Sequence, residues 1–363
     1  MLRLLYVYST RKRALLEAWR RGEQPDNLLF GYNWMHEIGV QATLHEPEYG
    51  PLGRQVYRLI GRLGPEAVQL RTLPLFPQHD AVFLTVGLGL ALLSTLLGPK
   101  RPPVLYFNQR LTTLLRRGGL VALLVRLAAP RCDRIVCISR GQMRVLRERC
   151  GIPPERLAFV PLNIDAPFFT NDTPPHPDGP IVAVGRDPAR DYRTFIEAVR
   201  PLRREVHIAT SPERLAGIEL PPHVVAHYNA PGTLVRELYR RASLVVIPTQ
   251  LEDGQGTGSD ISGGFALLEA LCMNRPVIAT RRESLSDYVT EPEEIRTVPP
   301  RDPEALCHAI TELLRHPDDA AAMAARASAR VRSEYTSRRF AERIAALAAE
   351  AADCPLATRK ETC

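Results

Sequence analysis

The feature that most narrows the choice of folds is an alternation. Twelve short, apolar, β-rich runs recur along the 363 residues, each separated from the next by a stretch of helical period. Six fall in the first half, at 2–9, 40–45, 81–86, 104–107, 134–138 and 157–160. Six more fall in the second, at 181–184, 206–209, 224–227, 244–248, 276–280 and 295–298. Runs such as IVAV and LVVIP are continuously apolar rather than alternating, so both faces of each strand must be covered. Strands of that kind alternating with helices mean parallel sheets with helices on both sides. Six strands twice over, in a chain long enough for two domains of ~150–200 residues, predict an α/β protein. Its expected architecture is two Rossmann-like, doubly wound domains facing a cleft. Thirty-two prolines and 23 glycines supply the tight connections this needs and argue against one β-sandwich or one helical array.

The boundary shows in composition. TNDTPPHPDGP (170–180) is polar and proline-rich and extends neither a helix nor a central strand. It reads as a linker between an N-terminal, acceptor-binding domain at 1–169 and a C-terminal domain at 181–339. EYTSRRFAERIAALAAEAAD reads as a terminal helix whose body, 340–352, crosses back to the first domain, ahead of a loose tail at 353–363. One segment admits two readings. Ala81–Gly98 runs 18 residues without a charge, the length at which a membrane span has to be considered. Gly87, Gly89 and three hydroxyl residues inside it favour a strand, a turn and a buried helix.

Charge is unevenly placed. Only three of the 47 basic residues are lysine, so arginine number alone is a poor guide to partners. Residues 1–170 carry a net +11 and residues 171–363 a net −4. Within 100–149 stand 12 basic residues and two acidic ones. There LTTLLRRGGLVALLVRLAAP (111–130) mixes leucines with Arg116, Arg117 and Arg126. Such a segment suits the interface of an anionic bilayer, and equally a helix packed on the sheet with its arginines solvated. A peripheral contact with an anionic membrane through 100–149 is therefore one expectation. Nucleic acid is not an expected partner, because no series of stacking aromatics accompanies the charge. Seven cysteines without C-x-x-C spacing fit neither a disulfide framework nor a zinc site. MLRLLYVYSTRKR is too short in apolar residues for a secretory signal. The chain reads as cytoplasmic, at most peripheral on the inner face of the membrane.

Open parallel sheets take ligands beyond the carboxyl ends of their strands. Two second-half loops stand out there. After IVAV comes GRDPARDYRTFIEAVR: Gly185 permits a tight exit, and Arg186 and Arg190 flank the start of a helix over Tyr192–Val199. Two guanidinium forks beside a helix N-terminus suit a diphosphate; two ordinary surface arginines would look the same. After LVVIP a long glycine-rich loop ends at Ser262-Gly263-Gly264, and a helix starts near Phe265. Bare amides at such a start cradle phosphate. Glu269, one turn into an apolar helix, calls for a partner. A ribose diol is one, and a simple helix-edge position is the other account. Tyr228 and Asn229 end a strand where a base could lie, or form a plain loop. No G-x-S-x-G elbow and no G-x-x-x-x-G-K-[ST] loop occurs, and His223 and His227 fall on a strand, where zinc is not expected.

These residues resemble a known family. From Ile181 to about Arg339 the chain resembles the nucleotide-binding half of retaining GT-B glycosyltransferases, specifically glycosyltransferase family four (the glycosyl transferases group 1 domain). GR followed by RDYRTFIEA resembles its G-R-x-x-x-x-K-G and IEA segment, with Arg190 at the usual lysine. ELYRRASLVVIPT resembles L-Y-x-x-A-D-x-x-x-x-P-S. GGFALLEALCMNRPVIAT resembles the run into L-L-E-A-M-A-x-G-x-P-V-I-A-T, and VPPRDPEALCHAITELLRHPDDAAAMAARA resembles the block that follows. In the first half DRIVCISRGQMRVLRE and VPLNIDAPFF resemble it more faintly. The resemblance implies transfer of a sugar from a nucleoside-diphosphate sugar to an acceptor hydroxyl, with retained configuration. The acceptor class it implies is a glycan, a lipid-linked glycan or another small molecule, as in polysaccharide or glycolipid biosynthesis. It implies that Arg186, Arg190 and the backbone of Gly263–Phe265 hold the donor diphosphate and that Glu269 holds the ribose. It also implies that no metal or other cofactor is needed, consistent with the absence of D-x-D from the sequence.

The chain departs from the family pattern at identifiable places. The first of the family's two glutamates falls on Ile261, and Ser262-Gly263-Gly264 is closer to the S-G-Q of a subset. The glycine of G-x-P is Asn274. YSTRKR replaces the glycine-rich loop after the first strand. Phe107-Asn108-Gln109 stands where many relatives have histidine, and Asn108 could bond a sugar hydroxyl but not act as a base. These departures keep two other functions in play: a non-catalytic nucleotide-binding scaffold, and a UDP-sugar epimerase of the same fold.

Overall fold

All twelve apolar runs form strands. The structure is a computed structural model that describes residues 1–47, 70–85, 87–250, 261–354 and 356. The first sheet holds β1 (Arg3–Val7), β2 (Gln41–His45), β3 (Ala81–Leu84), β4 (Val104–Asn108), β5 (Arg134–Cys137) and β6 (Leu157–Phe159), in the order β2-β1-β3-β4-β5-β6. The second holds β7 (Ile181–Val184), β8 (Val206–Thr210), β9 (Val224–Tyr228), β10 (Leu244–Ile247), β11 (Val277–Thr280) and β12 (Arg296–Val298), in the order β12-β11-β10-β7-β8-β9. Every neighbouring pair is parallel.

Burial explains the unbroken apolar runs. Successive strand residues point to opposite faces, yet Leu4 and Leu5, Val82 and Phe83, and Val182 and Ala183 are all fully buried. Helices must therefore cover both faces. In the second unit Phe195 and Ile196 of the Tyr192–Val199 helix, with Leu306 and Ile310 of Pro303–Arg315, pack on Ile181, Val246 and Ile278.

The uncharged run from Ala81 resolves as strand, turn and helix. β3 is followed by Gly87 at a left-handed φ of 86°, by a helix at Leu88–Leu93 and by a 3-10 segment at Ser94–Lys100. Among the described residues no helix is long and apolar enough to cross a membrane. Val86, the last residue of the predicted strand, lies outside the described residues.

The chain forms two compact units that do not divide at 170–180. One comprises Met1–Glu17, Leu28–Pro161 and Arg338–Cys363; the other comprises Ala18–Asn27 and Leu162–Ser337. The helix Ser337–Ala351 thus groups with the first unit from Arg338 onward. Residues 162–180 group with the second unit, and two polar devices show why. The Asp165 carboxylate accepts the N–H groups of Asp26 (3.0 Å) and Phe168 (3.1 Å), while the Asp165 N–H donates to Asn27 Oδ1 (2.7 Å). Asn163 Nδ2 donates to the Asn27 carbonyl (3.1 Å) and to Ser337 Oγ (2.9 Å), and Ser337 also bonds Asp26. The second device is Arg275, whose side chain is fully buried. It donates to the carbonyls of Met273 (2.9 Å), Ala242 (3.1 Å), Pro174 (3.4 Å) and Thr173 (2.5 Å). A proline-rich segment is thereby pinned by its carbonyls, the one backbone group proline retains.

Truncating Arg275 would strip those buried carbonyls of their donor. Arg275→Met is expected to cost ~2–4 kcal/mol of stability, read as a lowered urea midpoint. A midpoint equal to wild type would show that water replaces the guanidinium without loss.

Candidate functional site

The strand order locates the site. In the second sheet β7 and β10 are adjacent, and the chain runs outward from them in opposite directions. A crevice opens at such a reversal point, beyond the carboxyl ends of the two strands. The loops leaving β7 and β10 are zipped together there. Gln250 N–H donates to the Ala189 carbonyl (2.8 Å), Asp191 N–H donates to that of Pro248 (3.1 Å), and Arg190 bridges Thr249.

Arg190 is the centre of this arrangement. It is only 7% exposed, and among the described residues its Nε and Nη1 have no hydrogen-bond partner. Two glycines make room for it. A Cβ on Gly185, which sits at φ 154°, would fall 2.0 Å from Arg190 Nε. A Cβ on Gly263, at φ 85°, would fall 3.0 Å from Arg190 Nη1. Buried polar groups are otherwise almost always paired, and a guanidinium left unpaired is the costliest exception. The Gly185 carbonyl is fixed by Tyr192 Oη and Thr210 Oγ1, each at 2.7 Å, which holds the backbone beside Arg190 in place.

The helix Gly264–Cys272 begins beside that guanidinium, with Gly263 as its N-cap. Its first N–H groups have no intrahelical acceptor, and its dipole favours an anion at this end. Phe265 stands half-buried at the second position. Gly264 has a packing reason as well, since a Cβ there would fall 2.7 Å from side-chain carbons of Ile261 and Leu162. The preceding residues 251–260 lie outside the described residues.

Glu269 comes next on the same helix. Its Oε1 accepts Asn27 Nδ2 at 3.2 Å and its Oε2 accepts Tyr239 Oη at 3.1 Å. Burial pushes its carboxyl up to about 7, against the opposing influence of Tyr239, of the Arg190 charge and of Asn27. The Arg190 charge thus acts on Glu269, and the carboxylate keeps lone pairs beyond the two in use.

The other predicted residues are placed differently. Arg186 is exposed, and its Nη2 donates to the Ala230 carbonyl at 2.9 Å, which joins the β7 and β9 loops. Ser262 is buried and its hydroxyl donates to Asp187 Oδ2 at 3.1 Å, so it clasps the two loops together. Tyr228 is 51% exposed at the carboxyl end of β9, opposite Thr210. Asn108 does not face a ligand. It is fully buried in the first unit, its Oδ1 accepts the Leu111 N–H (2.9 Å) at the start of the helix Leu111–Arg117, and its Nδ2 faces Cys137 Sγ at 3.9 Å. The expectation of a sugar contact there is corrected: the asparagine that ends β4 is used to start a helix.

Sequence reasoning missed three contributors. Asn27 holds Glu269 from a position 242 residues away in sequence. Tyr239 lies inside a motif the sequence displays, but nothing local shows that its hydroxyl reaches Glu269. Arg282, just past β11, donates from Nη1 to the Ser262 carbonyl at 2.7 Å.

Among the described residues the first sheet shows no equivalent anion site after β1. There the Glu46 carboxylate accepts the N–H groups of Lys12 and Arg13 at the start of the helix Arg13–Arg20. A protein carboxylate already occupies the place an anion would take. Among the described residues no cluster of three or more His, Cys, Asp or Glu is placed to hold a metal ion.

The Glu269 environment predicts a pH signature. The folded protein holds this proton up to about pH 7, whereas the unfolded chain releases it near 4.5. Between those values the folded state carries the extra proton, so the group's stabilisation is present below the lower value and is lost as pH rises to the upper one. Urea midpoints of wild type are expected to decline from pH 5 to 7 relative to those of Glu269→Gln. Parallel profiles for the two proteins would contradict an elevated carboxyl.

Residues 179–316 match the sequence pattern of the family described as "Glycosyl transferases group 1". No curated protein matches the sequence. The fold is similar to that of HepE from Anabaena, solved in complex with UDP-glucose, with a TM-score of 0.71 and 13% identity over 96% of this chain and 100% of that one. It is also similar to a glycosyltransferase from Rickettsia africae, with a TM-score of 0.67 and 13% identity over 96% of this chain and 98% of that one. Sucrose-phosphate synthase from Thermosynechococcus elongatus gives a TM-score of 0.70 and 14% identity over 96% of this chain and 99% of that one. Residues 179–316 thus carry the pattern of the glycosyl transferases group 1 family, on a chain whose fold is the GT-B pair of Rossmann-like domains.

Proposed function

We infer that the chain is a glycosyltransferase that takes a sugar from a nucleoside-diphosphate sugar and gives it to an acceptor hydroxyl, with retention and without a metal. One observation carries this reading. Arg190 is buried with two N–H donors unpartnered among the described residues, packed against Gly185 and Gly263 beside a helix N-terminus. A diphosphate suits those donors in charge, since guanidinium forks bind phosphate oxygens bidentately. Glu269, further along the same helix, would accept the ribose hydroxyls. The family pattern over 179–316 and the UDP-glucose complex of HepE support the same class of donor.

The chemistry follows from where charge develops. The bond from the anomeric carbon to the phosphate oxygen breaks, and the bond to the acceptor oxygen forms on the same face. The acceptor's proton passes to the departing phosphate oxygen. The protein's part is to stabilise the leaving diphosphate with donors already in place, which is worth ~3–4 kcal/mol per donor in comparable sites. This route needs no side-chain base, so the inward-facing Asn108 is no obstacle. Arg190 and the helix dipole supply the positive charge that Mg²⁺ would otherwise bring. A glycan or lipid-linked glycan is the acceptor class that this reading favours.

A thermal-shift panel of UDP-, GDP-, ADP- and dTDP-glucose tests the donor site. One nucleotide series is expected to raise the Tm by linkage, and EDTA to leave that rise intact. Arg190→Met should abolish the rise while shifting the Tm of the free protein by no more than ~3 °C, and should lower kcat ~30–1000-fold. A full ligand-induced shift in the variant would overturn the assignment.

A further inference from the structure

The helix Gly119–Ala128 is built inside out for a protein in water. It buries only Ala122, Val125 and Ala128, a narrow stripe of mostly small side chains. Its leucines face outward: Leu120 is 71% exposed, Leu123 50%, Leu124 47% and Leu127 55%, with Val121 at 47%. The four leucines stand at i, i+3, i+4 and i+7, the spacing that lines one face of a helix. An ordinary amphipathic helix turns that face to the core. Leu96 is 80% exposed on the segment after Leu88–Leu93, and that helix packs against Gly119–Ala128. Scattered exposed leucines need no explanation, but a contiguous apolar face marks an interaction surface.

The charge around this face selects the partner. Arg116 and Arg117 are exposed one turn before the helix, Arg126 is exposed on it, Arg131 is exposed just past its end, and Lys100 is exposed at the end of the Ser94–Lys100 segment. Arg126, Arg131 and Lys100 have no ion pair among the described residues. Of the two acidic residues in 100–149, Asp133 is already paired with Arg101 at 2.9 Å. A second copy of the chain docking through the same face would bring this cationic rim against itself, because a twofold contact uses one patch on both partners. An anionic bilayer satisfies leucines and arginines together: the apolar face enters the boundary between headgroups and acyl chains, and the arginines stay among the headgroups. The ten-residue helix is about 15 Å long, too short to span the ~30 Å hydrocarbon core. We propose that the first unit docks peripherally on anionic membranes by laying the Leu120–Leu127 face of this helix in the interface. The inference stands independently of the sugar-transfer reading.

Flotation of the purified full chain with large unilamellar vesicles tests it. The protein should float with phosphatidylcholine vesicles containing 30% phosphatidylglycerol and remain behind with phosphatidylcholine alone. High salt should weaken the binding, since screening removes the arginine contribution. The triple variant Leu120→Ser, Leu124→Ser, Leu127→Ser changes only exposed side chains, so its Tm should match wild type while its vesicle affinity falls at least about tenfold. Failure of wild type to float, or equal flotation of the triple variant, would overturn the proposal. So would a wild-type dimer in sedimentation equilibrium that the triple variant dissolves, because the face would then be a contact between copies.

Discussion

A buried guanidinium with two donors unused among the described residues is the interaction on which the second unit turns. Leaving such groups unpaired costs a folded chain about 1–3 kcal/mol each or more. The surrounding backbone is shaped to tolerate it. Gly185 and Gly263 lack the side-chain carbon that would collide with Arg190, and both occupy φ values that other residues avoid. The loops that carry them are pinned to each other and to Tyr192, Thr210 and Asp187. Local rules of good packing are broken at one place and respected around it, which is the pattern expected of a binding site.

Everything else in the unit follows from the order of its strands. Because β7 and β10 are neighbours while their successors run apart, two loops and a helix start converge on one spot. The first sheet has the same construction but not the same end. Its first helix begins on the Glu46 carboxylate, so the position that would welcome an anion holds one from the protein. Two sheets of one architecture thus differ in which of them has an open positive end, and the difference comes from a handful of side chains, not from the fold.

Much of this was legible in the sequence because it is local. Continuous apolar runs reveal buried parallel strands wherever they sit, and all twelve were found within a residue or two of their ends. Gly185, Arg190, Gly263 and Glu269 could be singled out because each breaks a local expectation. What sequence could not show is who meets whom. Asn27 reaches Glu269 only because Ala18–Asn27 groups with the second unit. Asn108 looked like a ligand contact until the structure gave it a helix to start, and nothing local showed that Arg186 also holds a carbonyl. The polar 170–180 segment looked like a free linker because composition says nothing of Arg275, which grips the carbonyls at its start from a hundred residues away. Helical periodicity in 119–128 was equally plain, but periodicity does not say which face points inward.

The central claim is that Arg190 waits for a pyrophosphate and Glu269 for the sugar ring attached to it. A crystal structure with the stabilising nucleotide bound tests it most directly. The account predicts a phosphate oxygen within hydrogen-bonding distance of Arg190 Nε or Nη1, the helix amides after Gly263 turned to the same group, and both ribose hydroxyls on Glu269. A nucleotide bound elsewhere, with the Arg190 donors still unsatisfied, would contradict it.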